Sequence, residues 1–495
     1  MNLHRRHFLK CSLATAAAVT LRQPARAAST DGIRVAQIGF RAQGATHLSA
    51  LGDHIVALCD VDEHVLNSKA AEYNDASGKK IPTYVDYRKL LERNDIDAVS
   101  IATPNHTHAL ITIAALQAGK HVYCEKPASH NIWEGRQMVA AARKHGKMVQ
   151  IGTQSRSSPA LKEAITWLHD GGLGRVQYAV GTCYKRRPDI GKSDKPLVFP
   201  SHIHRDLWIG PAADQAIYRP AINSQGVENP HYDWHWDFNT GGGDLANQGI
   251  HQMDVARWCL GESALAPRVL SIGGRLGYDD AGTTANTQLI YHEYPAAPLL
   301  FEVHGLPKNK NTNAMDSYRG SSVGVVVQCE KGHLLIPNYT EAHAFDRDGT
   351  EIKSWRGEPA HHDNWLRAIE ANDASLLNAP VYDGHISSGL CHAGNVSYRL
   401  GKRASTQEID ERVKDTNLLA EGFRRLCDNV RRNEVDIDDV SQPALTLGEW
   451  LDVDPNTDQF VANDRAAELW QRKCRAPFIV PDIESQLKET TAAKR

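Results

Sequence analysis

Two spacings of hydrophobic residues alternate along the first third of the chain. Short apolar runs rich in branched side chains lie at Ile33–Gly39, Ile55–Asp60, Ala98–Ala102, His121–Glu125 and Met148–Gly152. Thr107–Ala118 and Ile132–His145 instead carry apolar residues at helical spacing. Buried strands that alternate with helices are typical of a parallel sheet with helices on both faces. The pattern therefore predicts an α/β domain with a doubly wound sheet over residues 31–153.

The hydrophobic pattern after residue 153 is mixed. Strand-like runs lie at Val176–Thr182, Val269–Leu276, Thr284–Tyr291, Leu299–His304 and Gly324–Cys329, and helix-like runs at His362–Glu370, Leu418–Arg432 and Arg465–Arg472. A long connection, roughly 185–243, shows little periodicity, and 443–464 is expected to be rich in loops. We predict a second α/β domain over residues 154–483, followed by a polar, frayed tail at 484–495.

The first 27 residues have the composition of a targeting segment. They contain five basic residues and no acid, Phe8–Leu21 is small and mostly apolar, and Ala25-Arg26-Ala27 matches a small-residue cleavage site. His4-Arg5-Arg6-His7-Phe8-Leu9-Lys10 resembles the twin-arginine export signal, and a general secretory signal or a basic amphipathic leader is the alternative. We predict an exported, periplasmic protein. No later segment predicts a transmembrane helix.

Composition narrows the possible partners. The 495 residues are 41% apolar and 23% charged, with a net charge of −3, which excludes a disordered chain and gives no basic footprint for nucleic acid. This balance also argues against a role at a membrane surface. The eight cysteines beyond residue 27 show no CxxC and no zinc-type spacing, so no metal is predicted, and the sequence leaves open whether a disulfide forms.

A glycine-containing turn follows the first strand. Gly39-Phe40-Arg41-Ala42-Gln43-Gly44 resembles the G-x-G-x-x-G phosphate-binding turn, except that Arg41 replaces the glycine that lets the backbone approach a pyrophosphate. Asp60 ends the second strand, where a carboxylate accepts hydrogen bonds from ribose hydroxyls and repels a 2′-phosphate. The two features predict a Rossmann domain that binds NAD in preference to NADP. The alternative for Asp60 is a cap for the helix near Asp62, and Arg41 either adds a phosphate contact or marks a weakened site.

Four motifs, in order along the chain, resemble one family. Thr103-Pro104-Asn105-His106-Thr107-His108 follows the fourth strand, Glu125-Lys126-Pro127 follows the fifth, and Gly241–Asp254 has the form of a second-domain catalytic helix. Together with Ala476–Pro481, these motifs resemble the glucose–fructose oxidoreductase / inositol dehydrogenase / rhizopine catabolism family over most of the mature chain. Ala476–Pro481 is similar to the C-terminal tails of the larger, exported members of that family.

The resemblance implies a Rossmann domain joined to an α/β domain with an open, mostly antiparallel sheet. One face of that sheet often forms the interface of a homodimer or tetramer, and the other side faces the nicotinamide. The substrate it implies is a sugar or cyclitol. The expected cofactor contacts are Gly39, Phe40, Arg41, Gly44, Asp60, Thr103, Pro104, Asn105, His108, Glu125 and Lys126.

Hydride transfer from a sugar carbon needs a base for the hydroxyl proton and a cation beside the oxygen that becomes a carbonyl. Lys126 and His251 match the family's catalytic lysine and histidine, and Asn247 stands where the family commonly has an aspartate. An amide can orient a hydroxyl but cannot carry a proton, so more weight falls on His251. Asp254 either orients the imidazole or is an ordinary solvated acid. The alternatives to catalysis are a surface lysine at a strand end and a structural histidine.

The long connection contains a dense group of aromatic and titratable residues, and such loops often carry function. The candidates for substrate contact there, at the preceding strand end and on the catalytic helix are His231, Asp233, Trp234, His235, Tyr184, Lys185 and Asp254. A loop held by buried tryptophans is the plainer alternative, and a metal site at its histidines and aspartate is a minor one.

An exported dehydrogenase must reset its own cofactor, because free nicotinamide nucleotides are not expected outside the cytoplasm. We predict an oxidoreductase with a tightly bound nicotinamide cofactor that transfers a hydride at a carbon of a sugar, cyclitol or glycoside. The alternatives are an NAD-dependent glycoside hydrolase of the same fold that oxidises its substrate transiently, and a sugar-binding protein that has lost catalysis. Retention of Lys126, His251 and Asp60 argues against the last.

Overall fold

The computed structural model describes residues 32–78 and 80–492, and the predicted signal peptide at 1–27 lies outside them. The described strands are β1 (Val35–Ile38), β2 (Ile55–Cys59), β3 (Thr83–Tyr84), β4 (Ala98–Ile101), β5 (His121–Cys124), β6 (Val149–Ile151), β7 (Val176–Tyr184), β8 (Arg268–Gly274), β9 (Thr287–His292), β10 (Leu299–His304), β11 (Val323–Cys329), β12 (Gly332–Ile336), β13 (Glu341–Asp346), β14 (Glu351–Arg356), β15 (Lys402–Ala404), β16 (Leu445–Leu447), β17 (Leu451–Asp454) and β18 (Gln459–Val461).

The described α-helices connect and cover these strands. They are α1 (Gln43–Leu51), α2 (Glu63–Ser77), α3 (Tyr87–Leu91), α4 (His108–Gln117), α5 (Ile132–His145), α6 (Pro159–His169), α7 (Arg205–Ile209), α8 (Gly243–Asn247), α9 (Gly249–Leu260), α10 (His361–Ala371), α11 (Val381–Leu400), α12 (Thr406–Val413), α13 (Asn417–Arg432), α14 (Asp464–Trp470) and α15 (Ile483–Ala492).

The first sheet has six parallel strands in the order β3-β2-β1-β4-β5-β6. This is the strand order of a dinucleotide-binding doubly wound fold, and it confirms the predicted Rossmann domain. All four residues of β1 and of β4 are buried because helices cover both faces of the sheet. The carboxyl ends of β1 and β4 lie side by side where the strand order reverses, which leaves a crevice for a ligand.

The second sheet has twelve strands and is mostly antiparallel, as predicted. Its main path runs β14-β13-β12-β11-β7-β10-β9-β8-β16-β15, and within it β7 and β10 pair in parallel. Helix α9 packs on β7, and α11 packs on α9 and β8. A large buried cluster between these helices and the sheet includes Met253, Phe301 and Leu390. This packing fixes α8 and α9 at the edge of the Rossmann domain.

The opposite face of the second sheet is covered by α12 and α13. Phe423 and Leu426 of α13 belong to one buried cluster with Leu289 and Leu300 of the sheet. A reciprocal pair of hydrogen bonds between Ser405 and Glu408 caps α12. The resemblance implied that this face joins a second subunit, but the same chain covers its central strands.

Three regions differ from the sequence-based expectation. The expected frayed tail forms α15 over most of its length, because Gln137 Oε1 accepts hydrogen bonds from the backbone nitrogens of Ile483 and Glu484. The expected loop at 443–464 contains β16, β17 and β18. Helix α11 was missed because small and polar residues, such as Ser387 and His392, are buried among its apolar core residues, so its sequence shows no polar face opposite an apolar one.

Within residues 32–78 and 80–492, no helix is long and apolar enough to cross a membrane. The same residues hold no group of three or more His, Cys, Asp or Glu side chains placed to bind a metal ion. Their eight cysteines are free thiols.

Candidate active site

A cleft of about 640 Å³ lies between the two domains. Residues at the carboxyl ends of β1, β2, β4 and β5 line one side of it, and residues of the 185–242 connection line the other. A crevice at the carboxyl ends of parallel strands is where a doubly wound sheet binds its ligand. The volume falls in the range of small-molecule and cofactor sites.

The turn after β1 has the close backbone approach of a phosphate-binding turn. Gly39 has a φ of 76°, and a Cβ there would lie 2.9 Å from the carbonyl oxygen of Ala102. A Cβ on Gly44 would lie 2.4 Å from the carbonyl oxygen of Gly39, so neither position accepts a side chain. Arg41, at the missing glycine, is exposed, and its guanidinium lies 3.8 Å from the carboxylate of Asp62. Arg41 therefore lines the mouth of the cleft without filling the glycine cradle.

Asp60 lines the cleft at the end of β2. Its Oδ2 accepts a hydrogen bond from the backbone nitrogen of Phe40, and its Oδ1 accepts one from the backbone nitrogen of Asp62. Burial raises the pKa of Asp60 to about 6, against the lowering effect of these two hydrogen bonds. The helix cap is Asp62, which accepts from the first backbone nitrogens of α2, so the capping alternative for Asp60 is wrong.

Glu125 anchors the backbone beside Lys126. Its Oε1 lies 3.0 Å from Nε2 of His47 and accepts a hydrogen bond from Gln154, while its Oε2 accepts from the backbone nitrogen of Lys126 at 3.1 Å. Burial alone would raise the pKa of Glu125, but the hydrogen bond and charge of His47 outweigh it and lower the pKa to about 2. Both oxygens of the ionised carboxylate thus have hydrogen-bond partners within the protein, and one of these bonds holds the backbone of Lys126 in place.

Lys126 joins the two domains across the cleft. Its Nζ donates a hydrogen bond of 3.0 Å to the main-chain oxygen of Asn247, at the end of α8. Burial lowers the pKa of Lys126, and the charges of Lys185 and Arg187 lower it further, while Glu125 opposes them. The structure places Lys126 and Asn247 together at one end of the cleft, as the sequence motifs indicated.

The loop after β4 completes the Rossmann side. Thr103, Pro104, Asn105 and His108 all line the cleft. The ring nitrogens of His108 lie 2.7 and 2.8 Å from the carbonyl oxygens of Pro127 and Thr103, so this side chain ties two strand-end loops together. The Oδ1 atom of Asn105 is buried without a hydrogen-bond partner among the described residues.

The second domain contributes a cationic wall that sequence reasoning found only in part. Lys185 Nζ donates to Gln248 Oε1 at 3.1 Å, and both residues line the cleft. Arg187, which sequence reasoning missed, is buried against Asp244 and donates to the hydroxyl of Tyr232 at 2.7 Å. The period-two alternation of a strand could have found Arg187, because it lies two residues beyond Lys185.

Two predicted residues of the connection line the cleft. His231 Nε2 lies 2.8 Å from the carboxylate of Asp62, which fastens the connection to the Rossmann domain. Trp234 also lines the cleft. The backbone supports this closure, since the nitrogen of Glu63 donates to the carbonyl oxygen of His202.

Four predicted substrate contacts do not line the cleft. Tyr184 points to the opposite face of the second sheet, where its hydroxyl donates to Glu302 and its ring stacks on His304. Asp254 is fully buried, neither solvated nor aimed at His251, and both its carboxylate oxygens accept hydrogen bonds from Nε of Arg156.

The other two lie behind the connection. Asp233 is buried and accepts a hydrogen bond from Asn223. His235 is buried with Nδ1 2.5 Å from the carbonyl oxygen of Tyr232, and burial lowers its pKa to about 3. Both support the loop that carries Tyr232 and Trp234, which is the plainer of the two interpretations the sequence allowed.

His251 is buried and is not among the residues that line the cleft. Its ring centroid is 5.0 Å from that of Tyr339, and its Nδ1 is buried without a hydrogen-bond partner among the described residues. Burial, reinforced by the charge of Lys126, lowers the pKa of His251 to about 3, so the imidazole is neutral at neutral pH.

The residues present fit a dinucleotide. The cradle at Gly39 and Gly44 leaves room for a phosphate, Asp60 offers a carboxylate edge, and Asn105 leaves a buried acceptor unused. These three features follow one another along the cleft from the end of β2 toward Lys126. The cleft thus has a nucleotide side and a side where polar groups of the second domain converge.

Comparison with known proteins agrees with this geometry. Residues 33–153 match the family model GFO_IDH_MocA, described as an oxidoreductase family with an NAD-binding Rossmann fold. Residues 2–21 match the signal sequence of the twin-arginine translocation pathway.

Two curated relatives and one solved structure illustrate the similarity. Levoglucosan dehydrogenase of Pseudarthrobacter phenanthrenivorans is 29% identical over 38% of this chain and 38% of its own length. Inositol 2-dehydrogenase of Rhodococcus jostii is 27% identical over 77% of this chain and 94% of its own. The WlbA dehydrogenase of Bordetella pertussis, solved with NADH and UDP-GlcNAcA, has a TM-score of 0.54 at 19% identity, covering 74% of this chain and 97% of that one. The chain spans less than half the length of the first curated relatives it matches.

Proposed function

We propose that this chain is a periplasmic oxidoreductase of the Gfo/Idh/MocA family that acts on a sugar, cyclitol or glycoside. The match of residues 33–153 to that family's model and of residues 2–21 to a twin-arginine signal supports the proposal. The proposed reaction moves a hydride between a CH–OH carbon of the substrate and a nicotinamide cofactor. The observation that carries the proposal is the position of Lys126, whose ammonium group stands between the dinucleotide cradle and α8 of the second domain.

A bound nicotinamide would supply the hydride acceptor and donor, and the protein must handle the proton. When the substrate carbon loses a hydride, its hydroxyl loses a proton, and Lys126 Nζ is placed to accept it. A lysine accepts a proton only when uncharged, and the lowered pKa of Lys126 favours that state. In the reverse direction the same ammonium group returns the proton to the carbonyl oxygen.

His251 and Asn247 would assist at the same carbon. Asn247 lines the cleft, and its side-chain amide can orient a substrate hydroxyl. His251 is buried outside the cleft lining, so its unused Nδ1 can accept a hydrogen bond from a substrate hydroxyl only after a local movement that exposes it. Lys185, Tyr232 and Trp234 then form the far wall, with a flat ring and polar groups suited to a sugar.

NAD is the proposed cofactor, and tight retention is part of the proposal. The carboxylate of Asp60 suits a ribose with free hydroxyls and disfavours a 2′-phosphate. Outside the cytoplasm the cofactor must be reset in each cycle, either by oxidising one sugar and reducing another or by returning the hydride to the same substrate. A homo-oligomer remains part of the proposal; because α12 and α13 cover the sheet face, a partner subunit on that side would contact these helices rather than the bare sheet.

The test starts from protein folded in its own cytoplasm and purified without added nucleotide. Denaturation should release NAD(H) in about equimolar amount, identified by absorbance and mass, and a panel of sugars and glycosides should reduce the bound cofactor. Redox exchange between two sugars would support the oxidoreductase, while hydrolysis of a glycoside would support the transient-oxidation mechanism. A protein that neither carries nor binds NAD would contradict both.

A further inference from the structure

The segment 471–484, which runs from the end of α14 into the first turn of α15, crosses the outer end of the cofactor cleft. On one side Arg475 fastens it to the connection: its side chain donates to the carbonyl oxygen of Gly210 and to the carboxylate of Asp206. On the other side Arg136 of α5 forms a two-pronged ion pair with Glu484. The segment is therefore anchored both to the connection and to the Rossmann domain.

Between the two anchors, Phe478 lines the cleft. Its side chain is 2% exposed and belongs to the same buried cluster as Leu110 of α4. Val85 and Tyr87, which follow β3, line the same cleft. The end of the cleft near these residues lies beyond Asp60, on the side away from Lys126, because β3 and β2 are at that edge of the sheet. A dinucleotide whose ribose meets Asp60 extends its adenine into this apolar end.

We propose that Phe478 is the outer wall of the adenine subsite and that segment 471–484 holds the dinucleotide in the folded protein. The inference rests on the proposed NAD-dependent function and supplies its retention device. A flat apolar base gains by packing against an aromatic ring. Arg472 adds a third anchor through Glu134 of α5. The base leaves only when some of these anchoring contacts break, which slows release.

The test measures dissociation of bound NADH by its fluorescence, during a chase with excess NAD⁺. Phe478→Ala removes the wall. Arg475→Gln loosens the anchor and also removes the guanidinium that lies 4.9 Å from the centre of the Phe478 ring, but it keeps the ring itself. Both variants should release NADH about 10-fold faster or more than the wild type. Phe345→Ala, on β13 at the far edge of the second sheet, is the matched control and should release NADH at the wild-type rate.

Fragments of the cofactor locate the effect. Phe478→Ala should weaken binding of ADP-ribose, which contains adenine, and leave binding of nicotinamide mononucleotide unchanged. Circular dichroism and thermal unfolding check that each variant is folded. If Phe478→Ala does not fold, the NADH release rate of Arg475→Gln is the test of the inference.

Two results would overturn the inference, and they are distinguishable. Wild-type release rates in folded Phe478→Ala and Arg475→Gln would refute the retaining segment while the proposed function stands. A wild-type protein that binds no nicotinamide nucleotide would refute the proposed function and the inference with it.

Discussion

The ammonium nitrogen of Lys126 lies 3.0 Å from the main-chain oxygen of Asn247, so one hydrogen bond connects the end of β5 in the Rossmann domain to the end of α8 in the second domain. A carbonyl oxygen accepts a hydrogen bond but, unlike a carboxylate, has no negative charge to neutralise the ammonium group. Lys126 is thereby held in position without a direct salt bridge; the charges of Glu125 and Asp244 raise its pKa, but burial outweighs them.

Lys126→Ala should abolish turnover and preserve cofactor binding. Removing a positioned acid or base costs about 10²-fold or more in kcat, and no cradle residue changes. Stopped-flow reduction of the bound cofactor by substrate measures the step, and released NAD measures occupancy. Lys162→Ala, whose side chain pairs with Asn378 outside the cleft, should match the wild type. Unchanged turnover in Lys126→Ala would refute the assigned role.

Affinity for NAD should rise with pH through about 6. The carboxylate of Asp60 accepts ribose hydroxyls best when ionised, and its pKa in the protein without nucleotide is about 6. Titration calorimetry between pH 5 and 8 should show this rise. Asp60→Asn should flatten the profile and weaken NAD binding about 10-fold above pH 6. A wild-type profile that the substitution leaves unaltered would count against Asp60 as the ribose contact.

The stability of the protein without nucleotide should respond to Asp60 in the opposite sense. Its folded-state pKa lies above the ordinary value of 3.8, so the folded protein binds the proton more tightly than the unfolded chain. The contribution of Asp60 is fully present below about pH 4 and is lost as pH rises through about 6. Urea denaturation across this window should therefore show the wild type losing unfolding free energy relative to Asp60→Asn as pH rises.

Substitution of Tyr184 should affect stability alone, and substitution of Lys185 should affect substrate binding alone. Tyr184→Phe removes a buried hydrogen bond to Glu302 and should cost about 1 kcal/mol of unfolding free energy, with kcat and KM unchanged. Lys185→Gln should raise KM for the substrate and leave the unfolding free energy within about 0.5 kcal/mol of wild type. A raised KM in Tyr184→Phe would place that side chain in the site after all.

Asp254→Asn should reduce stability rather than catalysis. The carboxylate pairs with the buried guanidinium of Arg156 and also accepts a hydrogen bond from Ser387 at 2.6 Å. Leaving a buried charge with one partner fewer costs about 3–5 kcal/mol. Urea denaturation measures the loss, and Asp452→Asn, at an exposed ion pair with Arg268, should cost under about 1 kcal/mol. Activity of the folded fraction should stay near that of wild type.

The sequence predicted the Rossmann domain well because five of its six strands are short apolar runs buried in the sheet; β3, which is only two residues long and partly exposed, was missed. The predicted bounds of α5 and β10 match the structure. Helix α11 escaped detection because polar residues are buried among its apolar ones: Ile386 and Leu390 pack in the core, and Ser387 is buried by donating to Asp254. The buried positions therefore extend around most of the helix, and no polar face sets off an apolar one.

Site residues that belong to a recognisable motif were predicted from the sequence. Site residues that reach the cleft from distant parts of the chain were missed. Lys126 and Asn247 were found from separate motifs, and the structure brings them together. Tyr184 and Lys185 are neighbours at a strand end, and neighbouring residues of a strand face opposite sides, so only one could reach the cleft. Phe478 lies more than 360 residues after Leu110, and local patterns do not predict such a contact.

Segment 471–484 also fixes an order of events. A ribosome makes this segment after the Rossmann strands and the connection, and a chain can begin to fold as it emerges. Those elements can therefore be in place while the outer end of the cleft still lacks Phe478. Until Arg475 reaches Asp206, that end stays open, so the elements that bind the nucleotide are made before the segment that retains it.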